Sequence, residues 1–372
     1  MSTDATTAFR YQKVDAFTAG GSAGNPAACL YLEPGQHLDD DQMLAIGREH
    51  KGFVSEVVYC TVGDGTIDLT FYSSECEVDF CGHGTIACLY ALISRTPALM
   101  AQDEVVVRTR RKGDLVVHNR IREQDAVLIT APTPVRLGTG LGLDAVAAAL
   151  GVAPAALDAA LPVDVIDAGL RTLLVPVRDL ATEVTMRPDE ATLRQFCLEH
   201  EIDIVLVFSR EVATPGHLAH TRVFAPRFGY LEDPATGSGN SAFGYYLLDQ
   251  GLWDGSPGRV EQGGDDRVLT WCTWPHRAAW CSSAGARACG STGCTAPDVL
   301  RSVRCARPAP GCQPSISSVA TRARSAGSSY RASRALLRWR SSSTAIGITE
   351  TATMPIAMSS MLSLMTVTLP SR

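Results

Sequence analysis

Twelve residues from Cys81, "CGHGTIACLYAL", run in step with twelve from Thr236, "TGSGNSAFGYYL". Cys81 falls on Thr236, Gly82 on Gly237, His83 on Ser238, Gly84 on Gly239, Tyr90 on Tyr245 and Leu92 on Leu247. Each stretch sets glycines at the head of a helix-forming run, and each follows acidic residues, Glu77 and Asp79 in one case, Glu232 and Asp233 in the other. The opening amides of a helix have no carbonyl a turn behind them and carry partial positive charge, so they attract anions. Glycine at that point lets a ligand approach the backbone. Two such turns in one chain imply two like halves whose helix starts can grip a small carboxylate between them.

The elements around the two turns follow the same order. In the first half, "FRYQKVDAFTAGGSAGNPAACLYL" predicts strand, glycine-rich loop and strand, and "DDDQMLAIGREHKG" a short helix with an acidic first turn. "FVSEVVYCTVGDGTIDLTFYSSECEVDF" alternates through strands about a "GDG" turn, and further strands follow the helix that starts at Gly82. "TAPTPV" at 130–135 reads as a linker. The second half then has a helix in "GLDAVAAALGV", a strand pair in "DVIDAGLRTLLVPV", a helix in "PDEATLRQFCLEHE", strands in "DIVLVFS" and "TRVFAP", and the second glycine-headed helix, closed by Gly251. This organisation predicts a first half over 1–130, a second over 131–266, and a separate segment over 267–372.

Charge separates that last segment from the rest. Residues 1–266 hold 20 of the 33 Lys and Arg and 37 of the 39 Asp and Glu, a net charge of −17. Residues 267–372 hold 13 Arg, no Lys and only Asp298 and Glu350, a net charge of +11, with six of the twelve Cys and four of the five Trp. An acidic body argues against a nucleic-acid surface. The first residues carry no basic and apolar leader pattern and no apolar run reaches membrane-spanning length, so a cytoplasmic protein with reduced cysteines is expected.

The stretches "VDAFTAGGSAGNPAACLYL", "SEVVY", "ECEVDFCGHGTIA", "RVFAP" and "EDPATGSGNSA" resemble, in order, the motifs of the phenazine-biosynthesis isomerase (PhzF-like) family, from about residue 10 to about residue 263. The resemblance implies an α/β fold of two similar halves, each a curved mixed sheet wrapped round a central helix, as in diaminopimelate epimerase and proline racemase. The active site would lie in the cleft between them, in a homodimer.

The resemblance also implies roles. In the racemase relatives each half supplies a cysteine; here Cys81 holds the first position and Thr236 the second, so a two-thiol racemase is not expected. A small buried apolar role suits Cys29, Cys60, Cys76, Cys88 and Cys197, and less firmly Cys81. Glu56, in "FVSEVVY", matches the family's acid/base glutamate, while the family's "SET" is "SEV" here, so a hydroxyl is lost at Val57. Alternation along the strand turns Ser55 and Glu56 to opposite sides. Asp233 and His83 match further catalytic positions; Ser55, Gly82, Gly237 and Ser238 match substrate-binding ones. Read alone, Glu56 would be a solvent-facing strand carboxylate, His83 a structural histidine, Asp233 a helix-start charge and Ser238 a helix cap.

The implied chemistry is a proton shift on a small carboxylic acid with no metal and no organic cofactor. Cys76, Cys81 and His83 lack paired zinc-ligand spacing. Two other readings remain: a racemase-related lyase that uses the region of Cys81 and Thr236, and a carboxylate-binding protein without catalysis. The 267–372 segment has the Arg, Ala, Ser, Cys and Trp mixture of a GC-rich gene read in a wrong frame. Back-translated with GC-rich codons and read two bases on, Arg267 to Gly293 becomes GPDVVYVAPPGGVVFVGGRARVWIDG, a strand–turn–strand pattern. The alternatives are an Arg-rich tail for an anionic partner, or a disordered extension.

Overall fold

The structure, a computed structural model, describes residues 5–18, 24–63, 65–130, 132–264, 270–274, 280–282, 299–305, 346–348 and 362–369. The glycine-rich loop at 19–23 and most of the chain beyond 264 lie outside these residues.

Strand pairing shows the internal repeat directly. In the first half Ala5–Ala16 pairs antiparallel with Asn25–Leu32, which runs parallel to Glu56–Val62. Glu56–Val62 pairs antiparallel with Ile67–Tyr72, which runs parallel to Glu104–Thr109, and Gly113–Arg120 follows antiparallel. In the second half Asp164–Asp167 and Arg171–Pro176 are antiparallel, and Ile204–Ser209 lies parallel to the latter. His220–Phe224 is antiparallel to Ile204–Ser209 and parallel to Gly258–Gln262. The alternation of directions is the same in both halves. A two-residue strand precedes each central helix: Glu77–Val78 before Gly82–Arg95, and Glu232–Asp233 before Gly237–Asp249. The result is two curved mixed sheets, each around a central helix, as the family resemblance implies.

Period-two alternation sets which residues meet the central helix. On Asn25–Leu32, Ala27, Cys29 and Tyr31 face the core around Ile86, Cys88 and Leu89, while Ala28, Leu30 and Leu32 pack outward under the helix Asp40–Glu49. On Glu56–Val62, Val58 and Cys60 face inward, and Val57 and Tyr59 outward. Val57 therefore packs in the outer cluster with Phe9 and Tyr72, on the face opposite Glu56. The second half has its own outer layer, where the helices Leu143–Leu150 and Glu190–Glu199 cover Leu173, Val175, Val205 and Val207. Cys29, Cys60, Cys88 and Cys197 are buried as expected, whereas Cys76 is only half-buried.

Most of the 267–372 segment, expected to be an aberrant or disordered tail, lies outside the described residues, and its described stretches are strands. Thr270–Trp274 pairs antiparallel with Gly258–Gln262, the place that Gly113–Arg120 holds in the first half. Trp280–Ser282 pairs with Ala126–Ile129 and so joins the halves, and Leu362–Leu369 lines up against Ala5–Ala16. Among the described residues no helix is long and apolar enough to cross a membrane.

Candidate active site

The central helices meet end to end at their N-termini. A Cβ on Gly82 would sit 3.4 Å from Gly237 Cα and 3.5 Å from Ser238 N, so the two helix starts lie in van der Waals reach of each other. The residues that precede the two helices share one conformation: φ −124° and ψ 100° at Cys81, φ −121° and ψ 103° at Thr236. Cys81 caps its helix by accepting from the Gly84 amide at 3.3 Å. Gly84 leaves room for this, because a Cβ there would lie 2.7 Å from both Cys81 Sγ and Val58 Cγ2. Thr236 stands at the other cap position, and Ser238 lies one residue inside the helix. The Thr236 hydroxyl instead donates to Asp233 Oδ2 at 2.5 Å.

A narrow cleft opens between these ends. Its walls bring together Glu56, Cys81, Gly82 and His83 of the first half with Tyr230, Asp233, Gly237 and Ser238 of the second. Among the described residues no Lys or Arg lines it, and the opening amides of both central helices face it. Ser55 lies instead in an adjoining hollow, with Phe53 and Tyr230. Its hydroxyl donates to Asn25 Oδ1 at 3.3 Å, which places it behind the site.

Glu56 is contacted from both halves in the cleft. It begins its strand on the inward face and is 3% exposed. Tyr230 donates to its Oε1 at 2.7 Å, Cys81 donates to Oε2 at 3.7 Å, and His83 Nε2 is 3.2 Å from Oε2. Burial, reinforced by the charge of Asp233, pushes its pKa up to about 8. Burial holds His83 neutral, with its pKa down to about 3, so its contact with Glu56 is a hydrogen-bonding contact and not an ion pair. Burial also raises the Cys81 thiol, with the Glu56 charge adding to the effect.

Asp233 is held by Asn25, whose Nδ2 donates to Oδ1 at 2.7 Å, and by Thr236. Burial raises its pKa to about 7 against those hydrogen bonds. Gln262 completes the frame, accepting from the Thr236 amide at 3.0 Å and donating to the Asp233 carbonyl at 2.8 Å. With both carboxyl groups raised, the cleft carries less negative charge near neutral pH than two ordinary carboxylates would, which favours an anionic ligand.

Of the residues expected in the site, Glu56, His83, Asp233, Gly82, Gly237 and Ser238 line one cleft and Ser55 does not. Sequence reasoning missed Tyr230, Asn25 and Gln262. Tyr230 stands three residues before Asp233 in the same loop, but only folding carries it to Glu56. Cys81 is buried, as expected, yet also touches both Glu56 and His83.

Two like half-sheets with a shared cleft at facing helix starts form an architecture also found in solved structures. A predicted epimerase of Pseudomonas aeruginosa shares this fold with a TM-score of 0.57 at 21% identity, covering 71% of this chain and 90% of that one. A PhzF-family protein of Bacillus anthracis gives 0.63 at 22% identity, covering 75% and 96%. The model of the PhzC-PhzF family, phenazine biosynthesis-like protein, matches residues 14–265, and the chain belongs to that family. An uncharacterized isomerase of Pseudomonas aeruginosa is 31% identical over 242 residues, 63% of this chain and 80% of that protein. The trans-2,3-dihydro-3-hydroxyanthranilate isomerase of Pseudomonas fluorescens is 25% identical over 255 residues, 68% and 85%. The chain is thus an isomerase of this family, and the match ends where its composition changes.

Proposed function

We propose that the protein shifts a proton within a small unsaturated carboxylic acid, with Glu56 as the carrier. The observation that supports this most is the setting of Glu56: buried, with a pKa of about 8, and facing the same cleft as the opening amides of both central helices. A group titrating near the working pH both accepts and returns a proton efficiently. The substrate carboxylate would lie against the amides around Gly82, Gly237 and Ser238. The ionised Glu56 takes a proton from an activated carbon, and the electron pair spreads into the adjoining π-bond. Glu56 then returns the proton to a carbon at the far end of that system, on the same face. Tyr230 steadies the glutamate through both steps. His83 orients the other oxygen, and Asp233 holds the opposite wall.

The family relative that acts on a dihydro-hydroxyanthranilate supports this substrate class, a small ring acid with an activated carbon. The lyase reading has less support, because the Thr236 hydroxyl is engaged with Asp233 and Gln262 and no second thiol faces Cys81 across the described cleft. The test is Glu56→Gln in heavy water with candidate unsaturated acids, read by mass spectrometry. Wild type should exchange and isomerise, and the variant should lose at least roughly 100-fold in turnover. A variant with full turnover on a verified substrate would remove Glu56 from the role.

A further inference from the structure

We infer that Glu56, Cys81 and His83 also form a three-donor site for a thiophilic divalent cation of the zinc type, and that occupancy blocks the cleft reversibly. The site needs only the three donors and stands whether or not Glu56 carries the substrate proton; only the predicted inhibition rests on the proposed function.

The geometry carries this. The three side chains can offer one sulfur, one nitrogen and one oxygen that all lie within 4.8 Å of one another, and all three residues are buried. Cys81 Sγ is 4.0 Å from His83 Nε2 and 3.7 Å from Glu56 Oε2, and Nε2 is 3.2 Å from Oε2. Ligand atoms around a tetrahedral zinc, at its usual bond lengths to sulfur, nitrogen and oxygen, are separated by roughly 3.3 to 3.7 Å. The donors therefore need to move only a few tenths of an ångström to enclose an ion.

The surroundings suit a metal as well as the donors do. Ligands in such sites are fixed by outer hydrogen bonds. Here Gly84 N–H donates to the sulfur at 3.3 Å and Tyr230 donates to the free oxygen of Glu56 at 2.7 Å. Charge also balances. Entry of the dication releases the proton of the Cys81 thiol, and that of Glu56 where it is protonated, leaving thiolate, carboxylate and M²⁺ with no net charge, which limits the cost of burial. The fourth position faces the cleft, where water or a carboxylate can complete the tetrahedron. The metal takes up the Glu56 oxygen that would otherwise accept a proton, so turnover stops until a chelator removes the ion.

Linear spacing hides this site, since Glu56 lies 25 residues before Cys81 and on a different element. The chain beyond 266 contains other cysteines, so the experiment is a difference measurement on the full-length protein. Metal-free wild type, Cys81→Ser and His83→Gln are titrated with Co²⁺ and then with Zn²⁺. The readouts are the near-ultraviolet thiolate-to-cobalt band and the number of ions bound, with circular dichroism to verify the fold. Wild type should bind one more ion than Cys81→Ser and lose the matching part of the band in that variant. His83→Gln should keep a sulfur band but bind at least roughly 10-fold more weakly. Zinc should inhibit wild type and a chelator should restore it. If Cys81→Ser does not fold, wild type against His83→Gln decides alone. Equal stoichiometry, affinity and spectra across the folded proteins would overturn the site.

Discussion

Tyr230 donates its hydroxyl to Glu56 Oε1 at 2.7 Å across 174 positions of sequence, from one half of the molecule to the other. The hydrogen bond favours the ionised glutamate, whereas burial and Asp233 favour the protonated one, and burial prevails.

The pH dependence of kcat/KM follows from that balance. A general base works only when ionised, so activity should rise with pH and level off above about 8, with Asp233 broadening the step because the two carboxyl groups titrate together. His83, low at about 3, contributes no step in this range. Tyr230→Phe removes a donor to the carboxylate, and the rising limb should move about one pH unit higher. A limb that stays in place, or moves lower, would contradict the balance.

Glu56 also weakens the fold at alkaline pH. Its folded pKa is raised, so the folded state binds the extra proton between the unfolded value, near 4.5, and about 8. Stability is thus fully present below the lower value and is lost as pH rises through the upper one. Glu56→Gln removes this part of the dependence, and its advantage over wild type should grow across that window by on the order of 5 kcal/mol. Urea denaturation at pH 5 and pH 9 measures it; a constant difference would refute the burial argument.

Gly84 should tolerate no side chain. A Cβ at this position meets Cys81 Sγ and Val58 Cγ2 at 2.7 Å each, and both neighbours are packed in the core. Gly84→Ala should cost about 1–3 kcal/mol and displace the thiol, with loss of the cobalt–sulfur band. Gly35→Ala is a useful contrast, since nothing lies within 4 Å and its φ of +86° leaves only backbone strain. Thermal melts of both variants, with the band as second readout, distinguish a packing cost from a conformational one.

The composition break at 267 leads to a prediction about the gene. The strands Thr270–Trp274 and Trp280–Ser282 fall where the reading two bases on has "VVYVA" and "VVFV", with its "PPGG" turn between them. An apolar strand suits a place between Gly258–Gln262 and the first half. A frame-repaired protein should be more soluble and melt roughly 5 °C higher. Equal solubility and Tm would mean that the chain as written closes its sheet equally well.

The sequence by itself determined the repeat and the order of elements, and its resemblance to a known family pointed to most cleft residues. The repeat and the elements are local information: glycines at helix starts, period-two alternation, acidic residues before each turn. It also showed that Glu56 and Ser55 face opposite ways, and the fold then placed Glu56 in the cleft and Ser55 behind it. What it left open were the contacts made across the halves. Tyr230 on Glu56, Asn25 on Asp233 and Gln262 on Thr236 each join residues far apart in the chain, and no local pattern marks one partner for the other. The pKa of Glu56, the neutrality of His83 and the gathering of Cys81, His83 and Glu56 into one donor set depend on burial between two sheets. Only tertiary structure decides them, because desolvation acts on a group through everything packed around it and not through its neighbours in sequence.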